Sequence, residues 1–231
     1  MTLAPLSDVL TIKDMISWPR PTALLWDMDG VLVHSDHLWK DGYIGRTLAH
    51  GHIWTDTDTM NCRGKTNDDI HSYLATILTA SLAGIVIAEV LAHVVSSITT
   101  EMLSGPSLRI LDHFYRAGVP MALVTSSPRT VVDRYLELIG SNPFQVVITG
   151  ADVTKGKPDP EGYLKAATLL GVHVQDCWVV EDSNTGVQAA IASGGRVIAI
   201  NQDSRWQDSD RLHKVTSLSG VADYLSLPTT H

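Results

Sequence analysis

The sequence predicts an α/β fold: a parallel sheet wrapped by helices, with a small all-helical segment inserted after the first strand. Three observations carry this. Short apolar runs bounded by turn residues recur along the chain, residues 36–104 read as helix with no strand among them, and beyond residue 105 apolar runs alternate with helix-spaced stretches. Alternation with short loops implies parallel strands joined by right-handed crossovers. Ligands of such sheets bind at the carboxyl ends of the strands.

The elements follow in order. Thr22 to Trp26 (TALLW) is a continuous apolar run ending at Asp27 and turning at Gly30, as suits a strand buried on both faces. In the helical segment Leu38, Ile44 and Leu48 form one stripe, and Ile70, Leu74, Ile77 and Leu78 another. The most apolar stretch, Leu82 to Val95, is broken by Glu89 and His93, and is too short to span a bilayer. It reads as a buried helix. Ser104-Gly105-Pro106 marks the exit, so the expected division is a core of 1–35 and 105–231 around an insertion of 36–104. Helices are then expected at Leu108–Arg116, Arg129–Ile139, Glu161–Leu170 and Thr185–Ala192. Strands are expected at Val119–Val124, Phe144–Ile148, Cys177–Val180 and Arg196–Ile200. The tail from Asn201 to His231 carries no identifiable chemistry.

Bulk properties bound the function. A chain of 231 residues holds a core domain plus a small accessory one, and 44% hydrophobic content suits a soluble globular protein. Seventeen basic against 25 acidic residues, a net charge of −8, offer no footprint for nucleic acid or an anionic membrane. An anionic substrate must therefore be drawn in by local features. Cys62 and Cys177 form no CxxC or zinc pattern and read as two free thiols in a reducing cytoplasm, with a single disulfide as the alternative. The segment MTLAPLSDVLTIKDM has no basic stretch followed by a long apolar run, so no signal peptide is expected.

Each strand end delivers polar residues. Asp27-Met28-Asp29-Gly30 follows the first strand; two close carboxylates repel, so they raise one pKa or recruit a cation. Thr125-Ser126-Ser127-Pro128 follows the second, with Pro128 at a first helical position and Ser127 as N-cap, a helix start suited to phosphate. Lys155-Gly156-Lys157-Pro158-Asp159-Pro160 is a proline-stiffened loop whose Lys157 can meet a phosphate charge. Glu181-Asp182-Ser183 sets two adjacent carboxylates after an apolar strand, where a divalent cation offsets them. Singly these are an acidic turn, a capped helix, a solvated loop and acids at a helix N-terminus. Together they point to one pocket.

In order along the chain, LLWDMDGV, LVTSS, GKPDP and VVEDS resemble the four motifs of the haloacid dehalogenase superfamily of phosphotransferases, a match covering most of residues 22–200. The resemblance implies a Rossmann-like core, and makes the insertion resemble the helical cap domain of the branch that includes β-phosphoglucomutase and many sugar-phosphate phosphatases. It implies that Asp27 attacks phosphorus, that Asp29 serves as acid and then base, and that Thr125, the Ser126 amide and Lys157 bind the transferring phosphoryl group. It also implies Mg²⁺ held by the Asp27 carboxylate, the Asp29 main-chain carbonyl and Asp182, with Glu181 beside it. Dehalogenases and phosphonate hydrolases of the superfamily lack an aspartate at the position of Asp29. The family commonly has Asp where His34 stands, and the mutases have arginine where Asn67 stands in RGKTNDD. The implied function is phosphate-monoester hydrolysis on a small phosphorylated metabolite. A phosphosugar mutase and a non-enzymic binding protein on the same fold are the alternatives. His37, His50, His52 and His71 read as polar surface or satisfied core side chains, with lining a substrate pocket as the alternative; Trp39 and Trp54 read as packing within the insertion, with substrate contact as the alternative.

Overall fold

The computed structural model describes residues 18–200, 203 and 205–221. The segment read for a signal peptide, most of residues 201–204 and the tail beyond 221 lie outside the described residues.

Six parallel strands form one sheet in the order β3-β2-β1-β4-β5-β6. They are β1 (Ala23–Trp26), β2 (Met121–Val124), β3 (Val146–Ile148), β4 (Cys177–Glu181), β5 (Arg196–Ala199) and β6 (Leu212–Lys214). Five of these meet the expected strands. The sixth falls in the tail, for which no strand was expected, because three residues, Leu-His-Lys, between polar turns carry too little apolar pattern to register. Helices α1 (Asp36–Ala49), α2 (Asp56–Cys62), α3 (Asn67–Ile77) and α4 (Ala80–Ser97) all lie between β1 and β2. Helices α5 (Gly105–Arg116), α6 (Arg129–Ile139), α7 (Glu161–Leu170) and α8 (Asn184–Ser193) connect and flank the strands. The architecture is a Rossmann-like α/β fold with a helical insertion.

β1 is buried along its whole length. The period of two splits its side chains: Ala23 and Leu25 enter a cluster with α7 and α8, while Leu24 and Trp26 enter a larger one with α5 and α6. That larger cluster runs on into the insertion through Leu38, Tyr43, Leu74, Val86 and Val90. Register then sets the active edge. Trp26 pairs with Leu123 on one side and Val180 on the other, so the residues that follow β1, β2 and β4 emerge level with one another.

Two details of the insertion differ from expectation. The buried face of α1 is Leu38, Gly42, Tyr43 and Thr47, while Ile44 and Leu48 are exposed. At 100° per residue, Leu38, Gly42, Tyr43 and Thr47 fall together on one half of the helix, whereas 44 and 48 fall on the other half. The apolar run 82–95 extends into the 18-residue helix α4, long and apolar enough by length and composition alone to cross a membrane. It is not buried all round: Ala83, Val86, Ile87, Val90 and Val94 form one covered stripe, and Ile85 lies on the exposed side.

α2 and α3 each begin with a capping box, Thr55/Asp58 and Thr66/Asp69. Asp58 does more than cap. Its buried carboxylate accepts from Tyr73 Oη at 2.5 Å, Thr55 N at 2.6 Å and Thr55 Oγ1 at 2.7 Å, and meets His52 Nε2 at 3.2 Å. Burial works against its charge, but the bonds from Tyr73, Thr55 and His52 outweigh it and hold its pKa down at about 2, against an ordinary 3.8. The native pKa lies below the unfolded one. This stabilisation is therefore present above about pH 4 and lost as pH falls toward the native value. Asp58→Asn is expected to remove about 1–3 kcal/mol at neutral pH. Urea denaturation of both proteins at pH 7 and at stepped acid pH checks it: the difference between them shrinks on acidification.

Candidate active site

The four strand ends meet at one place. Asp27 directly follows β1, and its amide donates to Val180 O of β4 at 3.0 Å, continuing the ladder one residue beyond the strand. Lys157, from the loop before α7, is buried behind it. Its ammonium donates to Asp27 Oδ1 at 2.5 Å, to Glu181 Oε1 at 2.6 Å and to Val124 O at 3.1 Å. The solvated-loop reading of this lysine is thereby overturned: only 7% of its surface is exposed, because two carboxylates and a strand-end carbonyl absorb its three donors.

Glu181, the last residue of β4, is fully buried. Its Oε1 also accepts from Tyr163 Oη at 2.6 Å, and its Oε2 accepts from the amides of Asp182 and Ser183 at 3.1 and 3.3 Å. Protein donors thus surround this carboxylate, and it fixes Lys157 and the turn that aims Asp182. Gly186 makes room for it, since a Cβ there would overlap the Glu181 carboxylate; likewise a Cβ on Gly30, at φ +80°, would overlap that of Asp182. Asp182 Oδ2 accepts from Arg63 at 2.8 Å, and the same guanidinium reaches Asp36 at 2.8 Å, tying the insertion to the strand ends. Ser126 Oγ adds a second tie, donating to Gly64 O at 2.9 Å.

Oxygen atoms of Asp27, Glu181 and Asp182 lie within 4.8 Å of one another. Three carboxylates thus share one buried ammonium and, at Asp182, the Arg63 guanidinium. Burial and the Glu181 charge push Asp27 well above the usual carboxylate range, and the same two causes push Asp182 up to about 7. This is an excess of negative charge built from hard oxygen donors, which fits a hard divalent cation such as Mg²⁺.

Asp29 lines the same cavity, and its carboxylate is not part of that cluster. Ser35 Oγ and Trp39 Nε1 (3.0 Å) donate to Oδ1, and Ser127 Oγ donates to Oδ2 at 2.5 Å. Ser127 is therefore not the N-cap of α6. Pro128 holds that position in extended backbone, and the serine hydroxyl turns to Asp29 instead. Thr125 Oγ1 accepts from Ser127 N at 3.0 Å, leaving its own proton for another acceptor.

A cavity of about 290 Å³ joins these groups. Asp27, Asp29, Thr125, Ser126, Lys157 and Asp182 line its sheet end, and Trp39, Tyr43, Trp54, Asn67 and Ile70 its insertion end. His37 also lines it, whereas His52 caps Asp58 and His71 meets Ala80 O. Cys62 and Cys177 are both free and buried. Sequence reasoning missed Ser35 and Tyr163 as members of the site. Arg63 opens the RGKTNDD segment but was given no role there, and Trp39 was read as packing, with substrate contact as the alternative.

The chain matches the haloacid dehalogenase-like hydrolase family over residues 24–200. It is 31% identical to hexitol phosphatase A of Escherichia coli (strain K12), covering 85% of this chain and 89% of that protein. It is 29% identical to validoxylamine A 7'-phosphate phosphatase of Streptomyces hygroscopicus subsp. limoneus, covering 74% of this chain and 81% of that protein. Among solved structures, β-phosphoglucomutase from Clostridium difficile superposes with a TM-score of 0.74 at 17% identity, covering 87% and 93% of the two chains. CbbY from Rhodobacter sphaeroides in complex with xylulose-(1,5)bisphosphate superposes with a TM-score of 0.71 at 20% identity, covering 87% and 96%. At those identities the likeness is one of fold. With the family match spanning most of its length, this chain belongs to the haloacid dehalogenase-like hydrolases.

Proposed function

We propose that this chain is a Mg²⁺-dependent phosphatase that hydrolyses a small phosphate monoester, of sugar-phosphate type, through an aspartyl phosphate on Asp27. The observation that carries the reading is the buried Lys157, bonded at once to Asp27 and Glu181 on the floor of the cavity. Membership of the family, and relatives named as phosphatases, support phosphoric-monoester hydrolysis.

The geometry supports the following roles. Lys157 occupies Asp27 Oδ1, which fixes the carboxylate and leaves Oδ2 to form the bond to phosphorus. The Thr125 hydroxyl, the Ser126 amide and the lysine charge receive the phosphoryl oxygens. Asp29, held at the cavity wall, protonates the departing ester oxygen and afterwards takes a proton from the water that discharges Asp27. Asp27, Asp182 and the Asp29 carbonyl, with Glu181 behind them, would hold Mg²⁺, which would supply the charge neutralisation a carboxylate needs to approach a phosphate. We assign residues 36–104 as a cap domain over a core of 1–35 and 105–231; its Trp39, Trp54 and Asn67 line the cavity. A cytoplasmic setting accords with the two free thiols.

The test is hydrolysis of para-nitrophenyl phosphate and a panel of sugar phosphates, with and without Mg²⁺ and after EDTA. Release of inorganic phosphate that needs the cation supports the reading. Absence of turnover on every ester would leave a binding protein on this fold. A hexose bisphosphate added to a hexose monophosphate separates the mutase, which would isomerise it.

A further inference from the structure

We propose that Trp39 is a positioning residue, whose indole N–H fixes the Asp29 carboxylate so that the acid's proton is presented from Oδ2. The proposal rests on the phosphatase reading above and concerns how its acid is aimed.

Three donors hold Asp29, two of them from the start of α1. Ser35 sits at the N-cap of that helix yet makes no side-chain cap. A serine there ordinarily contributes about 1 kcal/mol by bonding a free amide. Here its hydroxyl goes to Asp29 Oδ1 instead. Trp39, four residues on and so on the same helix face, donates to the same oxygen at 3.0 Å. The bond is not forced by a general need to satisfy indoles, because Trp26 and Trp178 bury their Nε1 atoms without a partner.

The donors differ in kind. A serine hydroxyl rotates and can donate or accept, whereas an indole N–H only donates. Trp39 therefore marks Oδ1 as an acceptor, and the carboxylic proton belongs on Oδ2, where Ser127 Oγ can turn to accept it. As Asp27 Oδ2 bonds phosphorus and the P–O ester bond breaks, the Oδ2 proton passes to the leaving oxygen. The carboxylate left behind takes one from water in the second half-reaction. Because Trp39 belongs to the insertion, the segment that lines the cavity also aims the acid that protonates the leaving group.

The experiment compares wild type with Trp39→Phe, which keeps a ring and loses the donor, on two classes of ester. Para-nitrophenyl phosphate leaves as a weakly basic phenolate and needs little help from an acid; glycerol phosphate and sugar phosphates leave as alkoxides and depend on it. The expected result is a fall in kcat/KM on the alkyl esters about 10- to 100-fold greater than the fall on the aryl ester. Trp39→His, which retains a ring N–H, is expected to recover part of the loss. Should the Phe variant fail to fold by circular dichroism, Trp39→Leu carries the same comparison. An equal fall on both classes, a rise in KM alone, or no change on either overturns the proposal. Wild type inactive on both classes instead overturns the phosphatase reading itself, so the two failures are distinct.

Discussion

Asp27→Asn is expected to lower kcat on any phosphate ester by at least about four orders of magnitude, while the protein remains folded. The amide keeps the shape of the side chain but has no charge with which to attack phosphorus. It does not leave Lys157 stranded, because Glu181 still accepts from the ammonium at 2.6 Å. It also relieves repulsion, since Asp27 lies among Glu181 and Asp182 and its own ionisation is opposed by burial and by their charges. The variant's melting temperature should therefore stay close to wild type while turnover disappears. Steady-state assay and differential scanning calorimetry on one preparation measure both. Retained turnover in a clean preparation would remove Asp27 from the nucleophile's role.

Lys157→Ala is expected to have the largest combined effect, abolishing turnover and destabilising the fold by about 3–5 kcal/mol. Its ammonium bonds both Asp27 and Glu181, and it also satisfies Val124 O at 3.1 Å. Without it, buried carboxylates face each other uncompensated. For a protein of this size the loss corresponds to a drop in Tm of about 10 °C. Because the cluster then carries more uncompensated charge, Mg²⁺ should raise the Tm of the variant by more than it raises that of wild type. A thermal melt with and without the ion checks both statements; equal melting temperatures for variant and wild type would mean the lysine bears no structural charge.

Much of this was legible before any coordinates. β1 could be read because a strand buried on both faces must be continuously apolar, and TALLW is. The acids Asp27, Glu181 and Asp182 and the lysine stood out because each directly follows an apolar run or sits in a proline-stiffened loop. Other features were illegible for equally physical reasons. β6 is three residues long and adds itself to an edge already templated by β5. The buried face of α1 was misjudged because Gly42 and Thr47, which carry no apolar signal, share it with Leu38 and Tyr43.

The chain alone determined which groups are present and the order in which strands deliver them, because hydrophobic period and turn residues act over a few neighbours. Only the tertiary structure decided how those groups are used. Parallel pairing brings Lys157 across 130 residues to Asp27, and Ser127 across 98 to Asp29. Whether Ser127 caps a helix or holds a carboxylate, and whether Trp39 packs or donates, depends on which partner lies about 3 Å away. Distances between residues far apart in sequence are set by the sheet's register, and no local pattern encodes them.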